Sequence, residues 1–243
     1  MANINHAVIL AAGRGRRMMP LTEMIPKAMA PYQGSTLIAQ GIARIAKVIE
    51  NVHVTVGYKG ALLAQHVIQH GASTVFNTEG KTNAWWIYHT VLRHLDEPVY
   101  VLTCDNVVEL DFGLLEEEYF GLNEPAGMLV PVKPVPGLEG DYVVHADHVV
   151  KAISRTTPSD MYCSGIQIVN PYRLNQLTRE QGDFYTVWTQ LIEIEQLFVS
   201  SLYPKQWFAV DTVEQWNLLN SHPGRLDLGP DGAGTGPWPS SPA

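Results

Sequence analysis

Cysteine is scarce in this chain. Only two occur in 243 residues, Cys104 and Cys163, far apart and without metal-ligand spacing. Two thiols cannot build a disulfide framework, and their scarcity suits a reducing compartment. Long apolar runs are missing as well. None approaches the ~18 residues of a membrane-crossing helix, and no charged-then-apolar leader pattern precedes the first apolar stretch. The expected location is therefore cytoplasmic. Positive charge is in deficit: 16 Lys and Arg against 24 Asp and Glu leave a formal net charge of -8. Without a global positive field, neither nucleic acid nor a membrane is an expected partner. The P-loop string G-x-x-x-x-G-K-[ST] does not occur. The dinucleotide fingerprint G-x-G-x-x-G fails at its third glycine, where Met18 stands. Of the nine histidines, His66 and His70 are four apart but lack a third ligand.

What positive charge there is gathers in one place. The stretch from Ala7 to Tyr32 reads AVILAAGRGRRMMPLTEMIPKAMAPY and holds Arg14, Arg16, Arg17 and Lys27. A buried strand feeds a turn in which Gly13 and Gly15 permit a tight bend and leave no side chain over a bound group. Consecutive amides in such a turn form an anion-binding concavity, and a helix starting after it adds its positive end. The arrangement suits a nucleoside triphosphate, against the plainer reading of a basic turn that only joins a strand to a helix.

Strand and helix signals alternate through the first half. Strands are expected at 6–12, 52–56, 73–76 and 99–103, the last running into Cys104-Asp105-Asn106. Helices are expected at 35–49, 62–70 and 83–95, on apolar spacing such as Leu37, Ile38, Ile42, Ile45 and Ile49. This order predicts an α/β fold with a mixed, mostly parallel sheet and helices on both faces. The second half is less regular. Strands are expected at 127–132, 165–169 and 207–210, with a hairpin around Asp147. Helices are expected at 183–197 and 213–219. The expected organisation is one domain over 1–222 and a Gly- and Pro-rich flexible tail over 223–243.

The first loop resembles the signature of the nucleotidylyltransferases that activate sugar phosphates and phosphocholine, L-A-A-G-x-G-[ST]-R-[ML]-x-P-L-T-x-x-x-P-K-x-[ML]-x-P. Leu10, Ala11, Ala12, Gly13, Gly15, Arg17, Met18, Pro20, Leu21, Thr22, Pro26, Lys27, Met29 and Pro31 match it. The family's Ser or Thr before the arginine is Arg16 here. Val56-Gly57-Tyr58, Asp105, Gly165 and the segment Trp207 to Thr212 match later family positions. The resemblance implies a Rossmann-like, GT-A-like nucleotidyltransferase fold. Its site lies over the C-terminal ends of the parallel strands. It also implies roles: Leu10 to Arg16 with Thr82 and Asn83 bind nucleotide, Arg17 holds the β- and γ-phosphates, and Lys27 stabilises the α-phosphate or bridges it to the acceptor phosphate. Asp105 and Asp211 hold Mg²⁺, the implied cofactor, and Asp105 joins Arg17 and Lys27 as a catalytic residue. The protein's task is mainly positioning and charge neutralisation.

The acceptor is addressed by Lys81-Thr82-Asn83, which resembles the K-T-N of cytidylyltransferases acting on phosphocholine and similar small phosphates. Sugar-activating relatives usually carry a G-T-A type string there. The expectation is CTP with a small phosphorylated acceptor such as phosphocholine. Trp85, Tyr88, Tyr162, Trp188 and Trp207 are candidates to surround a quaternary ammonium. A sugar-1-phosphate nucleotidylyltransferase is the alternative. A non-catalytic nucleotide-binding homologue, kept open by Arg16, is the third reading.

Overall fold

A computed structural model describes residues 3–135 and 140–221. In chain order the strands are β1 His6–Ala11, β2 Pro31–Tyr32, β3 Ser35–Thr36, β4 Asn51–Val56, β5 Thr74–Asn77, β6 Val99–Thr103, β7 Asn106–Glu109, β8 Gly127–Val132, β9 Tyr142–Ala146, β10 Val149–Ser154, β11 Tyr162–Val169, β12 Leu197–Val199 and β13 Gln206–Ala209. The helices are α1 Leu21–Met24, α2 Leu37–Ile45, α3 Gly60–Gln69, α4 Trp85–His89, α5 Phe112–Gly121, α6 Pro171–Leu177, α7 Phe184–Glu193 and α8 Val213–Ser221. Nine strands form one sheet in the order β5-β4-β1-β6-β11-β8-β12-β10-β9. The first four run parallel, β11 is antiparallel to both β6 and β8, and β12 is again parallel to β8. The expected mixed, mostly parallel sheet with helices on both faces is what forms.

Strand periodicity builds two cores. Successive side chains of a strand point to opposite faces. Ala7, Ile9 and Ala11 of β1, with Tyr100 and Leu102 of β6, face α2, α3 and α5. Val8 of β1, with Val99 and Val101 of β6, faces α4, α6 and α7. A third, smaller cluster joins Met18 and Tyr32 to Val107, Phe208, Val210 and Leu219. It fastens the loop after β1 to the β7–β13 ribbon and α8.

Several boundaries differ from the sequence expectation. The helix expected at 35–49 starts at Leu37, because Ser35 and Thr36 pair with Tyr32 and Pro31, and Thr36 caps the helix by accepting from the Ala39 N–H at 3.2 Å. The helix expected at 83–95 breaks at Thr90, whose hydroxyl donates to Trp86 O at 2.8 Å and accepts from Leu92 N; a 3₁₀ turn follows. Pro171 comes just after β11 and opens a helix absent from the sequence expectation. It sits at the first position of α6, with Asn170 accepting from Arg173 N at 2.9 Å. The helix expected at 183–197 ends at Glu193, and Leu197 begins β12 instead. The hairpin turn is as expected: Asp147 and His148 both have positive φ, as a tight β9–β10 turn requires. The expected tail at 223–243 lies outside the described residues.

Candidate active site

β1, β4, β5 and β6 run parallel, so the segments that follow them come out at one edge of the sheet. Tyr58 N donates to Ala12 O at 3.1 Å and Cys104 N donates to Leu10 O at 3.1 Å, drawing neighbouring loops onto the end of β1. Gly57 is needed for this closeness, since a Cβ there would lie 2.6 Å from Ala12 O. Beyond Ala12, the N–H groups of Gly13, Arg14 and Gly15 donate to no described residue. Their amides stay available to an anion, as a phosphate cradle needs. Gly15 adopts φ 60, and the chain then makes a 3₁₀ turn over Arg16–Met18 that buries Met18.

Lys27 lies beneath this loop. Its Nζ is 2.6 Å from Asp105 Oδ2 and 2.8 Å from Asp211 Oδ1, and Arg17 reaches the same Asp211 oxygen at 2.9 Å. Four of the residues singled out in the sequence thus meet at one point, although 184 positions separate Lys27 from Asp211. The β7–β13 ladder produces that meeting: Ala209 pairs with Asn106, and Val210 N donates to Asp105 O at 2.9 Å. Burial opposes the charge on Lys27, but the carboxylates of Asp105 and Asp211 outweigh it and hold its pKa above the usual lysine value. Beside them, burial pushes the Cys104 thiol up to about 12, with Asp105 adding to the shift, so this cysteine stays protonated and unreactive at neutral pH.

Some supports were not foreseen in the sequence. Thr22, 2 % exposed, donates from Oγ1 to Gly15 O at 2.9 Å and so fixes the loop from inside. Tyr58 OH donates to Thr22 O at 3.0 Å, and the Arg14 guanidinium lies 4.9 Å from the Tyr58 ring centroid. Gln215 Oε1 accepts from Asp211 N and from Thr212 N, and Gln215 N donates back to Thr212 Oγ1 at 3.2 Å. The spacing Thr212-x-x-Gln215 is that of a capping box and was readable as such. Asn106 Nδ2 and Trp207 Nε1 both donate to Ser164 O, at 2.8 and 3.0 Å, where β11 bulges before Gly165 at φ 82.

Thr82 and Asn83 lie against the start of α7. Asn83 Oδ1 accepts from Phe184 N at 3.0 Å, and Ala84 N donates to Gly182 O at 2.9 Å. The five aromatic candidates are not gathered: among the described residues no ring contact joins any two of them. Trp85 stacks on His89, with the Lys81 ammonium 5.6 Å from its centroid. Tyr88 and Trp188 are buried, bonded to Thr178 and Gln167. Tyr162 packs edge-on against Tyr142. Trp207 is half-buried near Asp105 and Asp211 in sequence and ladder.

Among the described residues no group of three or more His, Cys, Asp or Glu converges. The donors available to a metal at this point are two carboxylates already sharing a cation. That set fits Mg²⁺, a hard ion that binds through one or two carboxylates and completes its shell with water and phosphate oxygens. His66 and His70 instead approach each other at the end of α3, ring centroids 4.3 Å apart and tilted by 43°, with His66 Nε2 2.8 Å from Thr36 Oγ1. No helix among the described residues is long and apolar enough to cross a membrane.

Residues 7–155 match the MobA-like NTP transferase domain. The chain belongs to this family of nucleotidyltransferases. As a MobA-like NTP transferase it is 45 % identical over 60 residues to the bifunctional protein GlmU of Methanococcus aeolicus, covering 25 % of this chain and 15 % of that protein. It is 29 % identical over 111 residues to the UTP–glucose-1-phosphate uridylyltransferase AglF of Haloferax volcanii, covering 44 % and 46 %. The chain thus spans less than half the length of these relatives. Among solved structures, the CTP:phosphocholine cytidylyltransferase LicC of Streptococcus pneumoniae superposes with a TM-score of 0.69 at 22 % identity, covering 89 % of this chain and 97 % of that one. The inositol-1-phosphate CTP transferase of T. maritima gives 0.73 at 16 % identity, covering 88 % and 92 %. These likenesses establish the fold.

Proposed function

We propose that this MobA-like NTP transferase moves a nucleoside monophosphate, CMP from CTP, onto a small phosphorylated acceptor such as phosphocholine and releases pyrophosphate. The observation that carries the reading is the grip of Lys27 between Asp105 and Asp211, under a loop whose amides are unspent. An acceptor phosphate oxygen attacks the α-phosphorus while pyrophosphate leaves in line. The loop from Ala12 to Arg16 cradles the phosphates, Arg17 neutralises the departing pyrophosphate, and Lys27 offsets charge at the α-phosphate. Asp105 and Asp211 would hold Mg²⁺, which when bound lends Lewis-acid charge to the reacting oxygens. No side-chain nucleophile is needed. Cytidine is favoured by Lys81-Thr82-Asn83, which resembles the K-T-N string of the phosphocholine cytidylyltransferases. Among the aromatic candidates, Trp207 is the one we assign to the acceptor, since it lies four residues before Asp211 and pairs with Val108 on the strand after Asp105.

A sugar 1-phosphate acceptor is the second reading, favoured by the uridylyltransferase relative. The test is pyrophosphate release with Mg²⁺, crossing CTP, UTP, GTP, dTTP and ATP against phosphocholine, other small phosphates and sugar 1-phosphates. Turnover with CTP and a small phosphate supports the first reading. Turnover only with a sugar phosphate replaces it by the second. Nucleotide binding without turnover on any acceptor would leave a binding protein.

A further inference from the structure

The position of Lys27 bears on how the site acquires its metal. Its ammonium contacts Asp105 Oδ2 and Asp211 Oδ1 together, and Arg17 contacts that same Asp211 oxygen. Two cations therefore balance two carboxylates, and the cluster is electrically neutral before any ligand arrives. Lys27 is also the better fixed of the two cations. Its side chain is 11 % exposed, against 68 % for Arg17, and its stem runs directly under Gly15, where even an added Cβ would strike it. A divalent ion entering alone would have to take oxygens already bound to an ammonium and would add two positive charges to a balanced cluster. A triphosphate changes the balance. It brings several negative charges and offers Lys27 and Arg17 new anionic partners on the other side of the loop.

We propose that Lys27 is an internal counter-ion that keeps a free divalent cation off Asp105 and Asp211, so that the ion enters the site only together with a triphosphate. This rests on the reading of Asp105 and Asp211 as the metal-holding pair. It assigns Lys27 a second task beyond contact with the α-phosphate: it sets the order in which the site fills. Arg17, mostly in solvent and touching one carboxylate only, contributes less to the exclusion because water screens it.

Mn²⁺ binding to the whole protein, followed by electron paramagnetic resonance, tests this without turnover. Free wild-type protein is expected to show no Mn²⁺ site at Asp105 and Asp211, and addition of CTP is expected to create one that Asp105→Asn weakens. Lys27→Met is expected to bind Mn²⁺ without nucleotide at least about tenfold more tightly than wild type, with Arg17→Met showing a smaller gain. Asp105→Asn in the Lys27→Met background should remove the new site. Tight Mn²⁺ binding to free wild-type protein that Asp105→Asn abolishes would overturn the inference, and this arm does not depend on any Lys27 variant folding. Unchanged Mn²⁺ affinity in folded Lys27→Met would overturn it too. If Mn²⁺ recruitment with CTP is indifferent to both Asp105 and Asp211, the metal assignment itself fails, which is a different result.

Discussion

Gly15 and Lys27 are in such close approach that no side chain fits between them: a Cβ on Gly15 would sit 2.7 Å from Lys27 Cβ and 3.2 Å from Lys27 Cδ. The same glycine has φ 60, a left-handed conformation that L side chains resist. The loop after β1 and the lysine beneath it are therefore one unit. Gly15→Ala is expected to cost about 1–3 kcal/mol from backbone strain alone, with Lys27 also displaced from its carboxylates. Gly13 is the control, since nothing lies within 4 Å of a Cβ built there. Thermal unfolding should show a clear drop for Gly15→Ala and little change for Gly13→Ala. Equal melting temperatures for the two variants would contradict the coupling.

Lys27 gives a pH prediction. Burial lowers its affinity for a proton, but Asp105 and Asp211 prevail and raise its pKa above 10.5. A raised lysine pKa contributes stability that is fully present below the unfolded value and is lost as pH rises through the folded one. Lys27 should thus add no ionisation to the rate profile between about pH 6 and 9. Lys27→Ala is expected to lower turnover by roughly 10²–10³, and Asp105→Ala comparably, with the fold retained by circular dichroism. A limb near neutral pH that vanishes in Lys27→Ala would mean that Lys27 titrates in the working range.

At the opposite end of β1 lies a pH-sensitive histidine, His53, unrelated to the chemistry. His6 Nδ1 and His53 Nε2 are 3.0 Å apart with their rings stacked, His53 Nδ1 is 2.6 Å from Thr74 Oγ1, and Glu97 approaches His6 at 3.7 Å. Burial first, and His6 second, lower the His53 pKa to about 4. The unfolded chain then binds the extra proton more readily, so stability falls as pH drops from about 6.5 toward 4. The expected loss is on the order of 2 kcal/mol, allowing for partial solvation. His53→Val should shrink the difference in melting temperature between pH 7 and pH 4.5. An unchanged difference would place the acid sensitivity elsewhere.

How far the sequence carried this picture depends on the range of the forces involved. The loop after β1 was legible because its glycines, cations and prolines are local and its strand is continuously apolar. The parallel order of β1, β4, β5 and β6 followed from alternating periods. Thr90 was not legible as a helix break, because the choice rests on one hydroxyl competing for Trp86 O. β7 escaped notice since its partner β13 lies about a hundred residues away and its pattern, Asn106 to Glu109, is too short to stand out. Leu197 reads in the sequence as the end of a helix, and the strand it begins escapes notice, because a short apolar run has no period of its own. Asp105 and Asp211 were named from a resemblance, but the ammonium between them depends on contacts across 78 and 184 positions.

Arg16 is where the chain departs from the Ser or Thr of the signature it otherwise matches. Its side chain is exposed and makes no hydrogen bond or ion pair with a described residue. The work of holding the loop falls to others: Gly15 turns it, Thr22 bonds Gly15 O, and Met18 is fully buried behind it. A hydroxyl at this position is therefore dispensable to the fold, and so is the guanidinium. Arg16→Thr should leave the melting temperature unchanged within about 0.5 kcal/mol of stability. The charge itself faces the same solvent as the unspent amides of Gly13 to Gly15, where a triphosphate would lie. Its removal is expected to raise KM for the nucleotide several-fold and leave kcat nearly as it was, the mark of an interaction made equally in ground and transition states. Steady-state kinetics on the active nucleotide and acceptor pair measure both. A collapse of kcat at saturating nucleotide would instead place Arg16 on the reacting phosphates. An unchanged KM would mark it as a bystander on the rim of the loop.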